Sequence, residues 1–150
     1  MAPPSSAPPP PVSLDAFNTV LAQVGERLGT ALGPLDAGGF VEIRCGDVRI
    51  GVNASSTHGT VQLVAPVMPL PSTPAPHFYR RLLELNFLST GFGAFAVDTL
   101  RDTLYLRGMR PLQGLSSAVL HALLLGMAAS TERMQSLLAE EFPDESGREL

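Results

Sequence analysis

A chain of 150 residues has room for one domain that buries about 70% of the surface its unfolded form exposes, and no second domain is needed. A net charge of -4 and ten scattered cations, all arginine, lack the clustering that displaces counterions from a polyanion, which excludes nucleic acid as a partner class. The single cysteine, Cys45, excludes an intramolecular disulfide framework and fits a reducing compartment, and no apolar run approaches the ~18 residues of a membrane helix.

Residues 1–12 are proline-rich and low in complexity, so an extended, disordered tail is expected there, with a polyproline ligand as the alternative. Ser13 then caps a helix with Asp15 in its first turn. Leu14, Phe17, Val20, Leu21, Val24, Leu28 and Leu32 form its apolar stripe, and Gly33-Pro34 stops it. Val41, Ile43 and Cys45 alternate with Glu42 and Arg44, which marks a strand and makes Cys45 a buried structural thiol. After the turn at Gly46-Asp47, Val48, Ile50, Val52 and Ala54 continue the alternation. A polar loop over 55–59 leads to Val61, Leu63, Ala65 and Val67, and the three strands form an antiparallel meander.

Residues 50–79 contain no Asp, Glu, Lys or Arg, although exposed strand edges are normally guarded by charge. Three readings follow: another strand or subunit covers this edge, a partner strand adds to it, or the stretch is buried within the monomer. Pro66, Pro69, Pro71, Pro74 and Pro76 make a stiff connection to a second helix, where Phe78, Leu82, Leu85 and Leu88 recur at helical spacing with Arg80, Arg81 and Glu84 between them. Gly91 and Gly93 end it. Phe95 and Val97, then Leu104 and Leu106, form a hairpin joined across Thr99 to Thr103. Ser116 or Ser117 caps a last helix running to about Phe142, with Leu120, Leu123, Leu124, Met127, Met134, Leu137 and Leu138 on its apolar side. The acidic end over 143–150 is expected to be flexible. The fold class is α+β, in the order helix, three strands, helix, two strands, helix, with an antiparallel twisted sheet packed on helices.

Nothing along the chain carries catalysis. His58, His77 and His121 have no metal-ligand spacing, and Gly91-Phe92-Gly93 follows a helix and lacks the third glycine of a dinucleotide fingerprint. No Gly-x-Ser-x-Gly elbow is present, and Asp98 and Asp102 flank a turn, where aspartate serves local hydrogen bonding. No cofactor is expected. Charged residues make up 16% of the chain against about 25% in ordinary soluble domains, which points to apolar surface turned toward a partner.

The order Leu85-Asn86, Gly91-Phe92-Gly93, Phe95-Ala96-Val97-Asp98, Leu104-Tyr105-Leu106, Pro111-Leu112 and Leu115 resembles the CesT-type (Tir chaperone) family of small, acidic, dimeric chaperones of type III secretion effectors. The likeness covers residues 13–142 in layout, sharpest over 82–115. The hairpin turn Thr99-Leu100-Arg101-Asp102 departs from it only in lacking the Asp-Gly or Asn-Gly of a tight turn. The resemblance implies a non-enzymatic homodimer in the bacterial cytoplasm that holds the N-terminal region of an effector partly unfolded for export, with the secretion-system ATPase as a further candidate partner. Leu82, Leu85, Phe87 and Phe92 are the expected dimer contacts.

The effector surface is expected on the first helix and the uncharged meander, at Val48, Ile50, Val52, Val61 and Leu63, where an extended chain would gain backbone hydrogen bonds and apolar burial. If those five side chains face inward, the groove lies on the opposite face, near Arg49, Gly51 and Asn53. The competing function is an adaptor that binds a folded partner of the secretion machinery.

Overall fold

The computed structural model describes residues 13–88 and 91–143; the tails read at 1–12 and over most of 143–150 lie outside the described residues. Three helices and five strands run in the order α1 (Asp15–Leu28), β1 (Phe40–Cys45), β2 (Val48–Ser55), β3 (Thr60–Pro69), α2 (Phe78–Leu88), β4 (Ala94–Asp98), β5 (Thr103–Pro111) and α3 (Ser117–Glu141). All strand pairs are antiparallel, and the sheet order is β1-β2-β3-β5-β4. The meander is therefore joined to the later hairpin through β3 and β5, with α2 inside the crossover. α3 lies across β1, β2 and β3, α1 packs on α3, and α2 packs against β4.

Strict alternation on β1 and β2 separates two sheet faces. Ile43, Cys45, Val48, Ile50, Val52 and Ala54 are buried toward the helices, while Glu42, Arg44, Arg49 and Asn53 are exposed on the other side. Burial pushes the Cys45 thiol pKa up, which keeps it protonated and inert. On the helical side, Leu120, Leu124, Met127, Met134 and Leu138 of α3 meet Phe17, Leu21 and Val24 of α1 in one core.

α1 differs from the sequence reading at both ends. Leu14 is its N-cap without a side-chain bond, although the Ser13 Oγ still accepts the Asp15 N–H at 3.2 Å. The helix stops at Gly29 (φ 70°), not at Gly33-Pro34, because the Gly29 and Thr30 N–H groups fold back onto the Glu26 and Gly25 carbonyls. Residues 30–35 then run back along α1 and are fastened there by the Leu35 N–H donating to Asn18 Oδ1 at 2.9 Å. The close approach requires Gly25, where a Cβ would stand 2.6 Å from the Thr30 carbonyl oxygen and 3.0 Å from the Leu32 nitrogen.

This contact sets two helical glycines against each other. Gly→Ala inside a helix ordinarily stabilises by up to about 1 kcal/mol, and Gly126 of α3, with nothing within 4 Å of a Cβ, should follow that rule. Gly25→Ala should instead cost about 1–3 kcal/mol by pushing the returning segment off the helix. Urea melts of the two variants test this, and a stabilised Gly25→Ala protein would refute the contact.

In the β4–β5 hairpin the missing glycine is replaced by Asp102, which takes a positive φ of 46°, a conformation aspartate tolerates better than most residues. The Asp98 carboxylate accepts the Leu100 and Arg101 N–H groups. Its hydrogen bond with the Arg101 guanidinium, at 2.9 Å, holds the carboxyl below its ordinary pKa.

Candidate interaction surfaces

Two surfaces remain after the core is assembled. The first is on α2, which is apolar on two sides. Phe78, Leu82 and Leu85 are buried, whereas Leu83, Phe87 and Leu88 are 70%, 89% and 66% exposed. They border a shallow groove of about 660 Å³ with Arg80 and Glu84, and Arg80 and Glu84 pair at 3.4 Å on its rim. Three large apolar side chains presented together on one helix mark a contact surface, since a monomer gains nothing by exposing them.

Of the four expected dimer residues, only Phe87 stands on this surface. Leu82, Leu85 and Phe92 belong to the protomer core. The helical stripe in the sequence leaves out Leu83 and includes Leu88 with the core, although Leu88 faces outward. The signal was present as Leu83 and Phe87 at i, i+4.

The second helix is held at both ends. At its start, Arg81 forms a two-pronged pair with Glu141 at 2.8 and 2.9 Å, and Phe142 stacks on His77 and meets Phe78 edge-on. The hydrogen bonds from Arg81 hold the Glu141 carboxyl below its ordinary pKa. At its end, Asn86 Oδ1 accepts the Phe95 N–H at 2.7 Å and so occupies part of the free edge of β4. Phe92 then packs on Gly108, where a Cβ would meet its ring at 2.5 Å, and Arg110 lies 4.8 Å above that ring. The glycine break thereby fixes α2 and its exposed stripe against the hairpin.

The second surface is the sheet face turned away from the helices. Its residues on β1–β3 are Phe40, Glu42, Arg44, Arg49, Gly51, Asn53, Gln62, Val64 and Pro66, all exposed or half-buried. The Phe40 ring lies across Gly51 against Val64. The five expected effector contacts, Val48, Ile50, Val52, Val61 and Leu63, lie on the other face, at 0–4% exposure beneath the helices. The charge-free stretch from Ile50 thus supplies both the core row and much of the bare face.

Among the described residues no group of three or more His, Cys, Asp or Glu side chains is placed to hold a metal ion, and no helix is long and apolar enough to cross a membrane.

The model of the Tir chaperone protein (CesT) family matches residues 19–135. No curated protein matches in sequence. Among solved structures, a chain of the ExsC-ExsE complex superposes with a TM-score of 0.72 at 21% identity, covering 83% of this chain and 95% of that one. A chain of the HopA1-SchA chaperone-effector complex gives 0.67 at 17% identity, covering 84% and 99%. One from the heterodimeric ExoU-SpcU complex of the Pseudomonas aeruginosa type III secretion system gives 0.59 at 19% identity, covering 81% and 96%. At these identities the structural likeness is one of fold.

Proposed function

Because the chain belongs to the Tir chaperone protein (CesT) family, we propose that it is a type III secretion chaperone that binds the N-terminal region of one or more effectors and keeps it partly unfolded for export. It acts by binding, without catalysis, in the bacterial cytoplasm. The observation that carries the reading is a five-stranded sheet with helices on one face only, whose other face is bare across β1, β2 and β3. An extended polypeptide suits such a face because its alternate side chains match the sheet's own spacing. Cargo therefore lies near Arg49, Gly51 and Asn53, since Val48, Ile50, Val52, Val61 and Leu63 are closed beneath the helices.

A homodimer accompanies this reading, built on Leu83, Phe87 and Leu88 of α2. The secretion-system ATPase is a further proposed partner for the loaded complex. Co-expression with candidate effectors, followed by hydrogen exchange on the complex, tests the function. The bound effector segment should lose amide exchange only where it touches the chaperone and should show no independent cooperative fold. A partner that binds only when fully folded would make the protein an adaptor instead.

A further inference from the structure

We propose that Arg44 and Arg49 form a two-guanidinium fork on the bare sheet face that receives an acidic side chain of the bound polypeptide, beside an apolar seat made by Phe40, Gly51 and Val64. The inference rests on reading that face as the cargo surface and specifies which cargo chemistry it takes. Arg44 and Arg49 are direct partners in the β1–β2 register. The Ala54 N–H donates to the Gly39 carbonyl oxygen, and alternation from that pair puts Arg44 and Arg49 at a position without mutual backbone bonds. There the Cα atoms come within about 4.5 Å and the side chains are at their closest. Like charges at such a site are destabilising.

Nothing among the described residues relieves them. The Arg44 Nε–H donates to the Gly46 carbonyl oxygen at 3.3 Å, and neither guanidinium has an ion pair. Glu42, one row along the same face, and Asp47, in the turn between the two strands, pair with neither. Other arginines are engaged: Arg80, Arg81 and Arg101 with carboxylates, Arg107 with Gln62, and Arg110 over Phe92. A carboxylate is the natural complement, because guanidinium groups bind it with paired, charge-assisted hydrogen bonds.

The apolar seat fixes the spacing. A Cβ on Gly51 would lie 3.0 Å from the Phe40 ring and 3.1 Å from a Val64 methyl, so the missing side chain is what lets the ring cross to β3. Arg49 is two residues from Gly51, about 7 Å along the strand, which is the separation between alternate side chains of an extended chain. The face accordingly selects a segment with an apolar and an acidic residue two positions apart.

NMR of the arginine Nε–H and backbone amide signals of the full-length protein tests this, with a capped Thr-Val-Thr-Leu-Thr-Asp-Thr peptide as the probe. The Arg44 and Arg49 signals should move together with the Gly51 and Asn53 amides. Replacing the peptide Asp with Asn, or Arg49→Gln in the protein, should each weaken binding about tenfold, the scale of one lost hydrogen bond to a charged group. If the Asp and Asn peptides bind equally while the Gly51 and Asn53 amides still move, the fork is refuted and the cargo face stands. If no peptide moves those amides, the cargo face fails and the fork with it. Inorganic phosphate moving the two arginines at lower concentration than the peptide would also overturn the proposal. So would a shift of both signals, without peptide, in the full-length Asp144→Asn, Glu145→Gln, Glu149→Gln variant, because the chain's own acidic end would then fill the fork.

Discussion

Val61→Asp is expected to unfold the domain, not merely to weaken cargo binding. Val61 is fully buried between the sheet and the helices, and its β3 neighbours on that face, Leu63 and Ala65, are equally closed. The nearest cation is Arg110, directly opposite on β5, but its guanidinium is engaged over the Phe92 ring at the exposed rim, and a buried charge left without full compensation costs roughly 3–5 kcal/mol or forces the group to be protonated. That loss is comparable with the whole stability of a marginal domain, about 5–15 kcal/mol. Circular dichroism and a urea melt at neutral pH should show a largely unfolded or strongly destabilised protein. Asn53→Asp, on the bare face of β2, should melt within about 0.5 kcal/mol of the wild type. A cooperatively folded Val61→Asp protein of normal stability would mean that the helices do not cover this face in solution.

The second large effect is on assembly. The wild-type protein should scatter light at micromolar concentration as a particle of twice the 15.9 kDa chain mass, and Phe87→Asp should scatter as a single chain. Phe87 is 89% exposed within the protomer, so the change leaves the fold intact. At a two-fold contact the substitution is made twice. Two central anchors at about 2 kcal/mol each weaken the dimer by about 4 kcal/mol, or roughly a thousandfold. Leu85→Asp provides the contrast, because Leu85 is buried in the core and its loss should lower the melting temperature of the protomer itself. A Phe87→Asp protein that remains dimeric would move the interface away from α2.

The two variants separate what the chain spells out from what it leaves open. Alternation at Val41, Ile43, Cys45, Val48, Ile50 and Val52 around a two-residue turn makes β1 and β2 legible, because a period of two has one structural meaning. The same alternation says which side chains share a face and not which face the helices take. Val48, Ile50, Val52, Val61 and Leu63 do share one face, as the alternation implies, and it is the face that the helices close. That choice depends on where α3 lands, which is a tertiary fact. The pairing of β3 with β5 is similarly nonlocal, being registered through Leu63 opposite Gly108 and Val64 opposite Arg107.

Local signals also competed. In α2, Phe78, Leu82 and Leu85 form a stripe whose spacing extends to Leu88, although Leu88 stands in the exposed row with Leu83 and Phe87. In α1, Leu32 continued the apolar spacing past Gly29, and only the return of residues 30–35 along the helix shows why. Leu32 packs as part of a loop.

The sheet order has a consequence during synthesis. β1, β2 and β3 can close as neighbours once Pro69 has left the ribosome, but the partner of β3 begins at Thr103. At about 5–20 residues per second the 33 residues between them (70–102) take roughly 2–7 s to make. Through that interval the outer edge of β3 offers unpaired backbone groups from a segment without a single Asp, Glu, Lys or Arg to discourage another nascent chain. The five prolines between Pro66 and Pro76 border that edge and interrupt further strand pairing beyond it. Slowing translation between codons 70 and 103 should therefore lower the soluble yield, and speeding it should raise it, with no change in the stability of the finished protein.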